Sequence, residues 1–110
     1  MTEVIRDEEG RFVVELEGEI DLERAPALRK TLLDCVRRGR DVLVDLSRVT
    51  YIDSSGIASL VEALQDAGKS ETRFGLIAIS PEVMRVFELA RLDKVFTIHP
   101  DLGSALEAGA

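Results

Sequence analysis

Polar and apolar positions near the start of the chain alternate with the two-residue period of a β-strand. Between residues 12 and 17, Val14 and Leu16 alternate with two glutamates, and an acidic turn that contains Gly10 precedes them. The stretch VIRDEEGRFVVELEG predicts another strand before that turn. Together the two segments predict a β-hairpin.

Three later segments instead repeat apolar residues every three or four positions, which is the period of an α-helix with one buried face. The sequence therefore predicts three amphipathic helices. Their apolar stripes consist of Ala25, Leu28, Leu32, Cys35 and Val36 in the first helix, Ile57, Leu60, Val61 and Leu64 in the second, and Val83, Val86, Phe87 and Ala90 in the third.

Capping and helix-ending residues lie close to the ends of these stripes. Asp21 and Ser80 can each accept a hydrogen bond from a first-turn N–H group, so we expect them to cap the first and third helices. Gly39 and Gly68 follow the first and second stripes and predict where those helices end. Asp101 can cap a further short helix near the end of the chain.

Short apolar runs between the helices predict the remaining strands. They are DVLVDLS, the segment from Phe74 to Ile79, and KVFTIHP, which Pro100 stops. After DVLVDLS we expect a turn, from which Tyr51 and Ile52 lead into the next helix. A buried run rich in β-branched residues is typical of a strand covered on both faces.

The predicted element order is ββαβαβαβα, and the predicted class is α/β. Single strands that alternate with helices imply right-handed crossovers and parallel pairing, so we expect a mixed, mostly parallel sheet with helices. No repeat or long linker interrupts residues 1–110, and we expect a single domain.

The loops after parallel strands gather at one edge of a sheet, where sites on such sheets usually lie. Two polar motifs belong to such loops: GEID at residues 18–21 and DSSG at residues 53–56. In DSSG, an Asp or Ser can cap the following helix, and Gly56 permits a tight turn. One cap needs only one side chain, which leaves a serine hydroxyl free to accept a phosphoryl group at a helix N-terminus. The spacing alone leaves the cap and the switch equally open.

The carboxylates Asp21, Asp45 and Asp53 fall near the ends of predicted elements and could meet around Ser54. Three acids suggest a Mg²⁺ site. However, the sequence has no nucleotide-binding loop that would supply phosphates, and we prefer the interpretation that Asp21 and Asp53 cap helices while Asp45 hydrogen-bonds locally. We therefore predict no metal.

Charge and composition exclude several partners. The chain has 14 basic and 21 acidic residues and a formal charge of −7, so a nucleic-acid backbone would repel it and we expect no nucleic-acid partner. The basic run RRGR, at Arg37 to Arg40, follows a predicted helix, where cations suit the dipole. No apolar run approaches the roughly 18 residues of a spanning helix, so we expect no membrane insertion.

Enzymatic activity is not expected. A nucleophilic serine needs a base, and the sequence has a single histidine, His99, and no G-x-S-x-G elbow around either serine. Phosphate-binding glycine motifs and Cys/His metal spacings are absent, so we expect no cofactor. Cys35 is the only cysteine, and it falls on an apolar stripe; a reducing, cytoplasmic location and an inert core thiol fit this pattern.

Three segments together resemble the STAS domains of anti-sigma factor antagonists. They are GEID, VLVDLSRVTYIDSSGIASL and ISPEVMRVFELARLDKVF, in the family's order over essentially the whole chain. The DSSG element after a DLS strand is the most specific of them. The resemblance implies the STAS fold and one STAS domain over residues 1–110.

The resemblance also implies a function and its site. In that family the unphosphorylated protein binds an anti-sigma factor, usually a serine kinase with a histidine-kinase-like ATPase fold, and so frees the sigma factor. Phosphorylation dissociates the complex, and a serine phosphatase reverses it. The first serine of the motif matches Ser54, with Ser55 as the alternative acceptor. The implied partner-binding surface consists of Asp21, Asp53, Ser54, Ser55, Gly56 and Ile57.

Two other classes match parts of the sequence. The segment LSRVTYIDSSGIASL also resembles the small STAS subunit of bacterial phospholipid-transport ABC systems, in which the same surface docks on an ATPase subunit. The third helix reads ELARLDKV where many antagonists have a glycine before the final leucine, which leaves the partner open. A receiver that accepts phosphate on aspartate fits less well, because no acidic pair follows the first strand and Lys94 precedes the fifth.

Overall fold

The computed structural model describes residues 3–109, and within them the elements follow the order ββαβαβαβα. The predicted α/β class and element order are therefore confirmed. The strands are β1 (Val4–Glu8), β2 (Arg11–Ile20), β3 (Val42–Ile52), β4 (Phe74–Ile77) and β5 (Thr97–His99). The helices are α1 (Ala25–Arg37), α2 (Ser54–Lys69), α3 (Pro81–Leu89) and α4 (Leu102–Glu107).

The strands form one sheet in the order β1-β2-β3-β4-β5. β1 and β2 pair antiparallel as the predicted hairpin, and every other neighbouring pair is parallel. The carboxyl ends of β2 and β3 lie side by side, since Ile20 pairs with Ile52 and the Asp53 N–H donates to the Ile20 carbonyl at 3.2 Å. The two polar motifs therefore meet at one edge of the sheet, as expected.

β3 runs without a break from Val42 to Ile52, so the predicted turn before Tyr51 is wrong. β2 stays paired with β3 along this length because the register between them shifts twice, between Glu15 and Glu17 and again between Gly18 and Glu19. Each shift interrupts the in-and-out alternation of side chains, as β-bulges do. The end of β3 is therefore a strand even though its polar and apolar residues do not alternate regularly.

The main core lies between one face of the sheet and α1, α2 and α3, and the predicted apolar stripes supply it. Phe87 of α3 is fully buried and meets Phe96 edge-on, with ring centroids 5.6 Å apart. Cys35 is buried in this core, as predicted. On the other face of the sheet, Ala105 of α4 packs in a smaller cluster with Val13, Leu43 and Ile77.

One predicted helix end and one predicted core residue are wrong. α2 continues through Gly68 to Lys69, and Ser70 is its C-cap residue. Gly68 has no left-handed φ, so it is an ordinary helical residue here. α3 ends at Leu89, which makes the predicted core residue Ala90 an exposed C-cap. Leu92 packs against the core after this helix end.

Two predicted strands are shorter than the apolar runs suggested. β4 stops at Ile77 because Ala78 adopts a left-handed φ of 58°, which an extended strand cannot contain. β5 begins only at Thr97. The residues before it form a turn in which the Val95 N–H donates to the Leu92 carbonyl at 3.0 Å. Phe96 is buried, but it belongs to this turn and not to a strand.

The basic run after α1 is held by intramolecular contacts. Arg37 pairs with Asp66 at 3.0 Å, and Arg40 pairs with Asp7 at 2.5 Å. Arg38 and Arg40 also lie over the ring of Phe12, with the guanidinium carbons 5.8 and 4.8 Å from its centroid. Each arginine of the run therefore has a contact within the domain. Over residues 3–109, no helix has the length and apolarity needed to cross a membrane.

Candidate functional site

Asp53 is the N-cap residue of α2. Its backbone is extended, and its Oδ1 accepts hydrogen bonds from the N–H groups of Ser55 at 2.9 Å and Gly56 at 3.1 Å. Asp is among the best N-cap residues because its carboxylate accepts first-turn N–H groups that the helix leaves unpaired. The prediction that Asp53 caps a helix is confirmed.

The two adjacent serines have different surroundings. The Ser55 hydroxyl donates to Asp53 Oδ1 at 2.5 Å, and Ser55 is half-buried. Ser54 is exposed, and within residues 3–109 its hydroxyl has no hydrogen-bond partner. The cap therefore engages Ser55 and leaves Ser54 facing solvent. This difference was not visible in the sequence, where both serines could have played either part.

Asp53 is held in its ionised form. The hydrogen bond from the Ser55 hydroxyl, followed by the one from the Gly56 N–H, lowers the pKa of Asp53 below its ordinary value of 3.8. The backbone N–H groups of Ser55 and Leu22 lower it further. Free N–H groups at the start of a helix can solvate a phosphate, but Asp53 already occupies those of Ser55 and Gly56.

Gly56 brings the start of α2 against the end of the sheet. A Cβ atom on Gly56 would lie 2.8 Å from Ile20 Cγ2, 2.8 Å from Ile52 Cγ1 and 3.1 Å from the Ile20 carbonyl oxygen. The helix can approach β2 and β3 this closely only because residue 56 has no side chain. Close packing, rather than the tight turn we expected, explains this glycine.

The predicted partner surface is only partly exposed. Ile57 is 6% exposed and belongs to the main core, and Gly56 is buried beneath the start of α2. These two residues support the surface from below. Ser54 is its exposed member, and the carboxylate of Asp53 and the Ser55 hydroxyl border it.

Asp21 makes the predicted kind of capping hydrogen bond, but to the turn that leads into α1, and its carbonyl oxygen accepts the Ala25 N–H at 3.0 Å. Its Oδ1 accepts from the N–H groups of Glu23 at 3.1 Å and Arg24 at 3.2 Å, which closes a turn before the helix. α1 begins at Ala25, and its N-cap residue Arg24 makes no side-chain cap. An Asp side chain that bonds the backbone two or three residues ahead is an Asx turn. This turn exposes Leu22 to 72% beside Asp53.

The three carboxylates considered for Mg²⁺ do not form a metal site. Asp45 Oδ1 accepts from the Ser47 N–H at 2.9 Å, as the local interpretation predicted, and Asp45 pairs in register with Glu15 partway along β3. No group of three or more His, Cys, Asp or Glu residues within 3–109 is arranged to hold a metal ion.

Leu22 and Arg24 are two residues of this region that the sequence did not single out. Leu22 follows GEID directly, and a large apolar residue next to a polar loop motif was a signal that could have been followed. Arg24 carried no such signal, because its contacts are to backbone carbonyl oxygens of Glu17 and Glu19.

Comparison with solved structures confirms the predicted fold. The anti-sigma factor antagonist SpoIIAA in its unphosphorylated form superposes with a TM-score of 0.82 at 19% identity, over 97% of this chain and 95% of that chain. The structure of an anti-sigma factor antagonist from Mycobacterium paratuberculosis superposes with a TM-score of 0.89 at 37% identity, over 97% of this chain and 92% of that one.

Sequence comparison agrees with the fold. The STAS domain family model matches residues 3–105. The anti-sigma-F factor antagonist RsfB of Mycobacterium tuberculosis is 34% identical over 107 residues, which is 96% of this chain and 87% of that protein. The anti-sigma-B factor antagonist of Bacillus subtilis is 29% identical over 94 residues, 86% of each chain. The chain belongs to the STAS domain family, and the relatives named above are anti-sigma factor antagonists.

Proposed function

We propose that this chain is an anti-sigma factor antagonist that binds an anti-sigma factor when Ser54 is unmodified and releases it when Ser54 is phosphorylated. The names of its relatives support the antagonist role. One observation carries the assignment of the switch to Ser54: its hydroxyl is exposed at the first residue of α2, while the neighbouring Ser55 hydroxyl is bonded to Asp53.

The geometry favours Ser54 over Ser55 as the phosphate acceptor. A kinase must bring the γ-phosphorus of ATP to the attacking hydroxyl oxygen, so that oxygen has to be accessible. The Ser54 oxygen forms the new bond to phosphorus, the bond from phosphorus to the leaving oxygen of ADP breaks, and the hydroxyl proton passes to a base of the kinase. For Ser55 the same attack would first require the loss of its 2.5 Å hydrogen bond to Asp53.

The charge of the site explains how a phosphate would release a partner. A phosphoserine carries about −1.5 to −2 charges at neutral pH. It would lie beside the ionised Asp53 carboxylate, which already occupies two N–H groups of the first turn. Like-charge repulsion and desolvation then weaken the complex. A loss of about 3 kcal/mol would weaken binding by roughly 150-fold.

The proposal requires two further proteins and makes this chain a substrate rather than an enzyme. The anti-sigma factor is itself the serine kinase, and a serine phosphatase restores the free hydroxyl. Both would act on this surface in the cytoplasm. The domain contributes an exposed hydroxyl and a fixed acidic neighbour, and the catalytic groups belong to its partners.

Affinity capture tests this function. The protein, Ser54→Ala, Ser54→Glu and the matched control Ser55→Ala are immobilised and exposed to extract of the source cell, and bound proteins and phosphopeptides are identified by mass spectrometry. We expect the unmodified protein and Ser54→Ala to retain an anti-sigma serine kinase, and Ser54→Glu to retain at least tenfold less, about 1.4 kcal/mol of binding free energy. Phosphate should map to Ser54 in the protein and in Ser55→Ala.

Two outcomes would contradict the proposal. Equal capture of the kinase by all four forms would show that Ser54 does not control binding. Capture of a membrane ABC ATPase, with no dependence on Ser54, would instead assign the chain to a phospholipid-transport complex.

A further inference from the structure

The guanidinium of Arg24 is turned onto the backbone of β2. Its side chain is 15% exposed, and Nη1 donates to the carbonyl oxygens of Glu17 at 2.5 Å and Glu19 at 2.7 Å. The exposed arginines that form ion pairs, such as Arg29 with Glu62, contact carboxylates. Arg24 therefore bonds to main-chain atoms at the end of β2.

The sheet explains why those carbonyls need a partner. β1 pairs with β2 only as far as Glu15 within the described chain, so the outer edge of β2 has no neighbouring strand beyond that point. The register with β3 also shifts here, and Gly18 adopts a left-handed φ of 79°. Backbone groups on an unpaired strand edge need another donor or water. Arg24 supplies that donor in place of a strand.

A half-buried carboxylate lies on the other side of the guanidinium. Glu3 is 13% exposed, and its Oε2 lies 3.7 Å from Arg24 Nη2. Thr31 of α1 donates its hydroxyl to Glu3 Oε1 at 3.4 Å. The end of β2, the segment before β1 and the first helix are thus joined at Arg24.

The segment that Arg24 holds touches the Ser54 site directly. The Ile20 carbonyl accepts the Asp53 N–H at 3.2 Å, and Ile20 forms the wall against which Gly56 packs. The Leu22 N–H also contributes to the lowered pKa of Asp53. A shift of the β2 end would move the cap residue of α2 and the turn of the helix on which Ser54 lies.

We infer that Arg24 is a positioning residue for the segment Asp53–Gly56: by holding Glu17 and Glu19 it fixes the end of β2 against which this segment is built, and so sets the presentation of Ser54. The inference rests on the proposed function for its biological meaning. The claim that Arg24 positions Asp53–Gly56 rests only on contacts within this chain.

NMR spectroscopy of the protein and matched variants tests the inference. Arg24→Met removes the donors but keeps most of the side-chain length, and Arg29→Met is the control because Arg29 forms an exposed pair with Glu62. We expect Arg24→Met to shift the amide signals of residues 18–22 and 53–56 and to change the titration midpoint of the Asp53 carboxyl. Arg29→Met should change neither. Arg24→Lys should change the same signals less than Arg24→Met does, since one ammonium can donate to both carbonyls.

A second readout concerns the switch itself. If the cognate kinase phosphorylates Ser54, kcat/KM for Arg24→Met should fall about tenfold with the far-ultraviolet spectrum unchanged, because a misplaced acceptor loses rate. Glu3→Gln keeps the arginine and removes only its charged partner, so it tests the same network if Arg24→Met does not fold. It should produce smaller shifts at the same residues.

Failure of the inference differs from failure of the proposed function. If Arg24→Met folds and leaves the amides of 53–56 and the Asp53 midpoint unchanged, or if Arg29→Met changes them equally, Arg24 has no positioning role, whatever happens at Ser54. If no kinase modifies Ser54 but the spectra change as expected, the proposed function fails while the contact network is supported.

Discussion

The Ser55 hydroxyl lies 2.5 Å from Asp53 Oδ1, and this hydrogen bond distinguishes two serines that are neighbours in the chain. The same carboxylate oxygen accepts the Ser55 N–H at 2.9 Å. Both hydrogen-bond donors of Ser55 therefore bind the capping carboxylate. Ser54, one residue earlier, has an exposed hydroxyl that the cap does not use.

Removal of the Ser55 hydroxyl should raise the pKa of Asp53. The hydrogen bond from that hydroxyl is the largest cause of the lowered value, so Ser55→Ala should move the midpoint back toward 3.8. Carboxyl carbon NMR titration measures it, and Ser54→Ala is the matched control, expected to leave the midpoint where it is. An Asp53 midpoint in Ser55→Ala that equals that of the unmodified protein would disprove this role for the hydroxyl.

Stability should decrease as the pH falls below about 4. The pKa of Asp53 is lower in the folded protein than its ordinary 3.8, so the unfolded chain binds more protons in this range. The contribution of Asp53 to stability is fully present above pH 3.8, and it is lost as the pH falls through the pKa that Asp53 has in the folded protein. Hydrogen bonds from Arg40 to Asp7 and from the Ser104 N–H to Asp101 lower those pKa values too, so they act in the same direction.

Urea denaturation between pH 2.5 and 6 measures this dependence. Asp53→Asn keeps a side chain that can cap a helix but cannot ionise, so its stability should fall less steeply with acid than that of the unmodified protein. Part of the slope should remain, because Asp7 and Asp101 are unchanged. Identical slopes in the two proteins would contradict the prediction.

Two glycines of α2 should respond oppositely to alanine. Gly56→Ala places a Cβ atom 2.8 Å from both Ile20 Cγ2 and Ile52 Cγ1, so we expect a loss of about 1–3 kcal/mol in the free energy of unfolding. Nothing lies within 4 Å of the Cβ position at Gly68, where alanine should stabilise the helix by about 0.5–1 kcal/mol. Chemical denaturation measures both. Equal effects at the two positions would show that close packing at Gly56 is not the constraint.

Two apolar residues of α3 provide a similar contrast. Phe87 is fully buried and packs edge-on against Phe96, so Phe87→Ala should cost about 3–5 kcal/mol of stability. Leu89 is 80% exposed, and Leu89→Ala should change stability by less than about 0.5 kcal/mol. The same denaturation experiment measures both variants. A large loss at Leu89 would mean that this side chain is covered in solution.

Local patterns predicted several elements well. The stripe of α1 and the Ser80 cap of α3 depend on residues within one or two helical turns, and both are present. The hairpin follows from alternation next to a turn, and the parallel order follows from single strands between helices. Such features need no knowledge of distant residues, because their hydrogen bonds and buried faces are set by spacing along the chain.

The ends of strands and helices were harder to predict from the sequence, because contacts with distant residues determine them. β3 extends past its apolar run because β2 pairs with it through two register shifts. β5 is short because the chain before Thr97 turns to bury Phe96 under Phe87. A propensity for strand or turn in a few residues cannot report such pairing partners.

The sequence by itself determined the α/β architecture, the helix start at DSSG and, through its resemblance to STAS domains, a serine in that motif as the expected switch. Only the tertiary structure decided that the Ser55 hydroxyl is bonded to the capping residue Asp53 and that Ser54 faces solvent. It also decided that Asp21 forms a turn and that Arg24 holds the unpaired edge of β2. The physical reason is that spacing sets helical periodicity, whereas a side chain's hydrogen-bond partner depends on which atoms the fold brings within 3 Å of it.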